Sequence, residues 1–168
     1  MKKPLVAILM GSDSDLEVMN ETAHLLKEFG VPYEINVLSA HRSPEDVREF
    51  VRGAKTRGFR VFICGAGGAA HLAGTVAAQT TLPVIGVPIN STPLGGFDSL
   101  LATVQMPAGI PVATVAIGKS GARNAAILAC QMLALGDVVL EKKLAAFKAK
   151  LTAGVREKNQ KLKKETQS

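Results

Sequence analysis

Hydrophobic positions along this chain fall into two kinds of stretch that alternate from end to end. Short apolar segments at residues 5–10, 33–38, 59–64, 84–87 and 112–117 have the length of strands. The first is apolar without interruption, as in a strand covered on both faces. Between them, apolar residues recur every three or four positions. Val18, Thr22, Leu25 and Phe29 trace one helical face behind a Ser14–Glu17 capping box, and Gly30 supplies the stop. Val47, Phe50, Val51 and Ala54 trace a second, with Ser43 as cap, Pro44 at the first helical position and an end near Gly58. A small-residue helix follows residues 65–71 and reaches about Gln79, and residues 97–104 read as a further helix. Residues 122–135 predict an apolar helix, and 138 to about 164 a long amphipathic one.

Strands alternating with helices predict a three-layer α/β/α domain around a five-stranded parallel sheet. Right-handed crossovers bring every strand-to-helix loop to one edge of such a sheet, and ligands bind there at the point where the strand order reverses. The flavodoxin-like order 2-1-3-4-5 fits five strands and puts the reversal between the first and third. The loops at residues 11–15, 39–43 and 65–71 then converge on one crevice. Residues 1–137 form the α/β domain in this reading. Residues 138–168 form a C-terminal helix that belongs to the same domain or packs on a neighbouring subunit.

Composition narrows the picture. A chain of 168 residues with 47% hydrophobic but only 4% aromatic side chains suits one domain with an aliphatic core. No apolar run approaches a membrane span, and the first run is too short for a signal-peptide core. Cys64 and Cys130 lie in apolar segments without a spacing motif, which points to buried free thiols in a cytoplasmic protein. The net charge of +6 is local: nine Lys and Arg against three Glu lie between Glu141 and Ser168, and the rest of the chain balances. Such a run is usually a solvated helix face. With no basic groove interleaved with aromatics, nucleic acid is not an expected partner.

Three loops carry candidate chemistry. His41 and Arg42 sit side by side where a strand ends and a helix begins, a place whose free N–H groups welcome an anion. Imidazoles exchange protons near neutral pH, and a guanidinium grips phosphate or carboxylate with two bonds. A polar loop with a solvated arginine accounts equally well for these residues. Ser12, Ser14 and Asp15 offer hydroxyls and a carboxylate able to hold a sugar and its phosphate, but Asp15 in a first helical turn also suits the helix dipole. Gly65, Gly67 and Gly68 permit backbone approach to a ligand, or merely close helix packing. No Lys-Ser or Lys-Thr follows, so this is not a nucleoside-triphosphate loop, and the glycine spacing departs from a dinucleotide fingerprint. His24, mid-helix among ordinary residues, reads as a surface or core residue.

Taken together, Met10-Gly-Ser-Asp-Ser-Asp15, Ser39-Ala-His-Arg-Ser-Pro44 and Gly65-Ala-Gly-Gly-Ala-Ala-His-Leu72 resemble one family in order and spacing. Asp98-Ser-Leu100, Val104-Gln-Met-Pro107 and Gly109-Ile-Pro-Val-Ala-Thr114 extend the likeness from about residue 5 to 135. The family is that of the purine-biosynthetic N5-carboxyaminoimidazole ribonucleotide mutases, the catalytic-subunit type of phosphoribosylaminoimidazole carboxylase. The resemblance implies a carboxyl migration from an exocyclic nitrogen to ring carbon C4, with carbon dioxide released and recaptured. His41 would carry the proton, and Ser12, Ser14, Asp15, Ser39 and Arg42 would hold ribose and phosphate. The backbone of residues 65–70, with Gly67, Gly68 and Ala69 central, would hold the carboxylate, and His71 would support it. The resemblance implies no metal, no organic cofactor and a homo-octamer, with the apolar stripe Leu140, Leu144, Phe147, Leu151, Val155 and Leu162 packing across subunits. The chain departs from the family pattern at Ala73, where proline is common, and at residues 93–97. The competing readings are a related carboxylase that takes free carbon dioxide, and a non-catalytic flavodoxin-like module carrying a mononucleotide such as FMN.

Overall fold

A computed structural model describes residues 3–166; residues 1–2 and 167–168 lie outside the described residues. The chain divides into two compact units, Met1–Ala129 and Cys130–Ser168.

In the first unit five strands form one sheet: β1 (Val6–Met10), β2 (Tyr33–Val37), β3 (Val61–Gly67), β4 (Val84–Ile89) and β5 (Ala113–Thr114). Their order is β2-β1-β3-β4-β5, parallel at every pairing, as the alternation of elements predicts. The helices of this unit are α1 (Leu16–Phe29), α2 (Pro44–Arg57), α3 (Leu72–Ala77), α4 (Phe97–Val104) and the start of α5 (Gly118–Ala134).

Successive side chains of a strand point to opposite faces, so β1 feeds two cores. Ala7 and Leu9 pack with Val47, Val51 and Ala54 of α2 and with Leu72 and Val76 of α3, around the buried rings of Phe59 and Phe62. Val6, Ile8 and Met10 are equally buried and point the other way. On α1, the residues Met19, Leu25 and Leu26 are inaccessible, and the Thr22 hydroxyl donates to the Ala122 carbonyl of α5 at 2.8 Å. Each large aliphatic or Phe side chain buried in this way contributes about 1.5–3 kcal/mol.

Several boundaries differ from the sequence reading. The Ser14–Glu17 capping box does not form. Ser12 instead caps a short 3-10 turn, Asp13–Asp15, by accepting from the Ser14 N–H, and Glu17 pairs with Lys119. A two-serine turn gives the backbone an earlier partner, and the helix starts at Leu16. Ser43 precedes α2 but makes no side-chain cap; its hydroxyl turns back to Ser39. β3 runs through Gly67 because ladder pairs continue as far as Gly67↔Ile89, so the first glycines of the loop are strand residues. β5 keeps two residues of the six expected, and α5 starts four residues early, at Gly118. Both changes occur at the sheet edge, where β4 alone offers pairing partners.

The second unit contains α6 (Val138–Thr166), whose first turn is capped by Asp137: its carboxylate accepts from the N–H groups of Val139 and Leu140. Leu140 is buried, whereas Leu151, Val155 and Leu162 of the same stripe are exposed. Among the described residues no helix is long and apolar enough to cross a membrane.

Candidate active site

The switch in strand order falls at β1, which has β2 on one side and β3 on the other. A crevice of about 420 Å³ opens there, at the carboxyl ends of the strands. Of the residues singled out from sequence, Ser12, Ser14, Asp15, Ser39, His41, Arg42, Gly67 and Ala69 all line it. Gly68 and His71 do not, although each adjoins a residue that does. Gly11, Ala40 and Ala66, which belong to the three loops expected to converge here, also line the crevice, as do Leu72 and Ser91, which were missed. Their positions at strand ends and loop starts were the available signal, but Gly, Ala and Leu carry no chemistry that a motif search reads.

The second loop braces itself. Ser43 Oγ accepts from the Ser39 N–H and donates to the Ser39 carbonyl, while Ser39 Oγ accepts from the Arg42 N–H at 3.1 Å. Arg42 then reaches across to the first loop and donates from its guanidinium to the Gly11 carbonyl at 2.7 Å. That bond occupies one of the guanidinium's five donors. His41 Nε2 lies 2.8 Å from His71 Nδ1, with the two rings edge to face at 81°. His71 is the residue immediately before α3, so the helix start fixes its backbone.

Asp15 is the one charged residue of the crevice that is buried, at 5% exposure. Burial raises its carboxyl above the ordinary range, while the Ser12 backbone N–H and the Arg42 guanidinium pull it back down. A carboxylate desolvated in this way is primed to accept hydrogen bonds from an incoming ligand.

The third loop shows why glycines stand there. Gly68 has φ of 59°, which bends the chain out of β3. The Ala70 and His71 N–H groups turn inward, to the carbonyls of Gly68 and Ala69. Those of Gly68 and Ala69 donate to no acceptor among the described residues, so the free pair is narrower than residues 65–70 suggested. A Cβ at Gly65 would overlap the Met19 side chain, and one at Gly67 would overlap Ser91. Close packing explains the first glycine, and the crevice wall explains the second.

Among the described residues no group of His, Cys, Asp or Glu could hold a metal ion. Cys64 is buried at the core, where desolvation pushes its thiol far up and leaves it unreactive. His24 is exposed on α1, away from the crevice lining.

A doubly wound parallel sheet with hydroxyls, a guanidinium, a buried carboxylate and the free Ala69 N–H around one crevice defines a flavodoxin-like protein with a site for a small-molecule ligand. The family model for AIR carboxylase matches residues 5–154, and the chain belongs to that family. It is 55% identical to the N5-carboxyaminoimidazole ribonucleotide mutase of Pyrococcus horikoshii, covering 96% of this chain and 90% of that one. To the mutase of the same name from Bacillus subtilis it is 56% identical, covering 84% and 88%. A crystal structure of Treponema denticola PurE superposes with a TM-score of 0.86 at 30% identity, covering 95% of this chain and 98% of that one.

Proposed function

We propose that this protein isomerises N5-carboxyaminoimidazole ribonucleotide to 4-carboxyaminoimidazole ribonucleotide in purine biosynthesis, with His41 as general acid and base. The observation that carries the reading is the meeting of three loops, so that His41, Asp15 and Ala69, the last with a free backbone N–H, line one crevice. The mutase names of relatives sharing more than half of their residues with this chain support the substrate class.

In this reading Asp15 accepts hydrogen bonds from ribose hydroxyls, and Ser12, Ser14, Ser39 and Arg42 hold the phosphate. The carbamate C–N bond breaks with its electron pair going to the exocyclic nitrogen, which takes a proton from His41. Carbon dioxide stays against the Gly68 and Ala69 N–H groups. The electron-rich C4 then attacks it, and His41 takes the C4 proton to restore the aromatic ring. Starting and final states of the imidazole are the same, so no cofactor is consumed. An imidazole suits both transfers because its two protonation states are comparably populated near neutral pH. Oriented N–H groups stabilise the carboxylate that forms without reorganising.

The same reading makes this a cytoplasmic enzyme that assembles as a homo-octamer. Exposed apolar side chains on and before α4, Leu94, Phe97 and Leu101, are the kind of surface a subunit contact would cover. Mass measurement in solution tests the assembly.

The deciding experiment supplies purified protein with the carbamate ribonucleotide and follows the ultraviolet absorbance of the C4-carboxylated product. Rapid product formation is expected. Product formation only from aminoimidazole ribonucleotide and free carbon dioxide would replace the mutase by the direct carboxylase.

A further inference from the structure

Three walls of the crevice repeat one position. Ser12, Ser39 and Ser91 each stand two residues beyond the end of a strand, after Met10 of β1, Val37 of β2 and Ile89 of β4. The hydroxyls of Ser12 and Ser39 serve their own turns, accepting from the Ser14 and Arg42 N–H groups. Ser91 has no hydrogen-bond partner among the described residues, although it lines the same crevice.

Its placement is constrained from two sides. The ladder pair Gly67↔Ile89 sets the start of the loop against the end of β3, and the Ser91 side chain fills the space that any Cβ at Gly67 would need. From the other side, Thr92 Oγ1 donates to Asp98 at 2.7 Å and accepts from the Leu94 N–H at 3.2 Å, tying the loop to α4. An unpaired hydroxyl is thus held against the strand end from which the Gly68 and Ala69 N–H groups project.

We infer that Ser91 is a further substrate-contacting residue, the hydroxyl that with the Gly68 and Ala69 N–H groups holds the migrating carboxyl group. The inference rests on the mutase reading of the site. Ser91 then retains carbon dioxide between the breaking of its bond to nitrogen and the forming of its bond to C4. Ser91 itself forms no covalent bond and transfers no proton.

The test compares wild type and Ser91→Ala on the carbamate ribonucleotide, measuring both the C4-carboxylated product and the aminoimidazole ribonucleotide left when carbon dioxide escapes. Loss of a hydrogen bond to a carboxylate should lower kcat by roughly tenfold to a hundredfold with KM nearly unchanged. The share of turnovers ending in aminoimidazole ribonucleotide should rise several-fold. Once the spontaneous decarboxylation measured without protein is subtracted, partial misfolding would reduce both enzymatic outputs together and leave their ratio alone, so the corrected ratio is the decisive readout. A variant with wild-type partitioning and wild-type kcat overturns the role of Ser91 while leaving the mutase standing. A wild-type protein that fails to isomerise the carbamate overturns both.

Discussion

His41 and His71, thirty residues apart in the chain, face each other nitrogen to nitrogen at 2.8 Å. A single hydrogen fits between those two atoms, so the donor in the pair is set by which ring carries it. The His71 backbone is committed: its N–H donates to Ala69 and its carbonyl accepts from Thr75. In the proposed mechanism His71 is a positioning residue for His41. Replacing His41 by Asn should therefore cost at least about a hundredfold in turnover, while product affinity stays within a few-fold. Wild-type turnover in that variant would remove His41 from the mechanism. His71→Leu should reduce kcat by roughly tenfold or more through misplacement of the partner ring. His71→Asn, which keeps a polar partner, should recover part of that loss. Equal rates in the two variants would mean that His71 does not position its neighbour.

Arg42 joins two of the converging loops through its bond to the Gly11 carbonyl. Arg42→Ala should weaken product binding by about tenfold to a hundredfold, as for loss of a charged hydrogen bond. Arg42→Lys should restore little of it, since an ammonium has no fork to reach the carbonyl and a phosphate together. Calorimetric titration with product measures both. Unchanged affinity in the alanine variant would exclude a phosphate contact.

Asp15 carries a stability cost with a defined pH dependence. Its folded-state pKa lies above the ordinary value of 3.8 because burial disfavours the charge. The folded protein then holds that proton more tightly than the unfolded chain does. The resulting stability is complete below 3.8 and is lost as the pH rises through the raised folded value. At neutral pH the ionised carboxylate is a liability that Asp15→Asn removes. That variant should melt at a higher temperature than wild type at pH 7, and the advantage should shrink as the pH falls into the acid range. It should also bind product more weakly, the pattern of a residue kept for a ligand at the expense of the fold. Melting scans across pH decide the first point, and an Asn variant less stable than wild type at pH 7 would reverse it.

The sheet order was legible because crossovers between parallel strands are right-handed as a rule and the apolar segments alternate cleanly with helical ones. The glycine stops of α1 and α2 were legible for a local reason: Gly30 and Gly58 adopt positive φ and donate back to the last turn. What failed was decided by tertiary partners. The start of α1 depends on Ser12 accepting from the Ser14 N–H in a 3-10 turn ahead of the helix, and Glu17 is drawn to Lys119. The His41–His71 contact and the position of Ser91 depend on ladder register across the sheet, which apolar periodicity does not encode. The residue types of the site were readable, whereas the pairs among them were not.

Gly65 offers a last test, one that separates packing from chemistry within the glycine-rich stretch. Its Cα faces Met19 of α1 so closely that a methyl group there would overlap the Met19 thioether, and Ile89 Cδ1 stands 3.1 Å from the same point. Both neighbours are buried, and Gly65 lies within β3 in register with Met10 and Val87. Gly65→Ala should therefore destabilise the fold by roughly 1–3 kcal/mol, as expected for a methyl forced into a filled core. Met19→Ala alone should cost about 2–5 kcal/mol through the cavity it leaves. The double variant should be more stable than the sum of the two losses predicts, since each change relieves the other. Denaturant melts of the four proteins measure the coupling. Strict additivity would mean that the glycine is needed for something other than room beside α1.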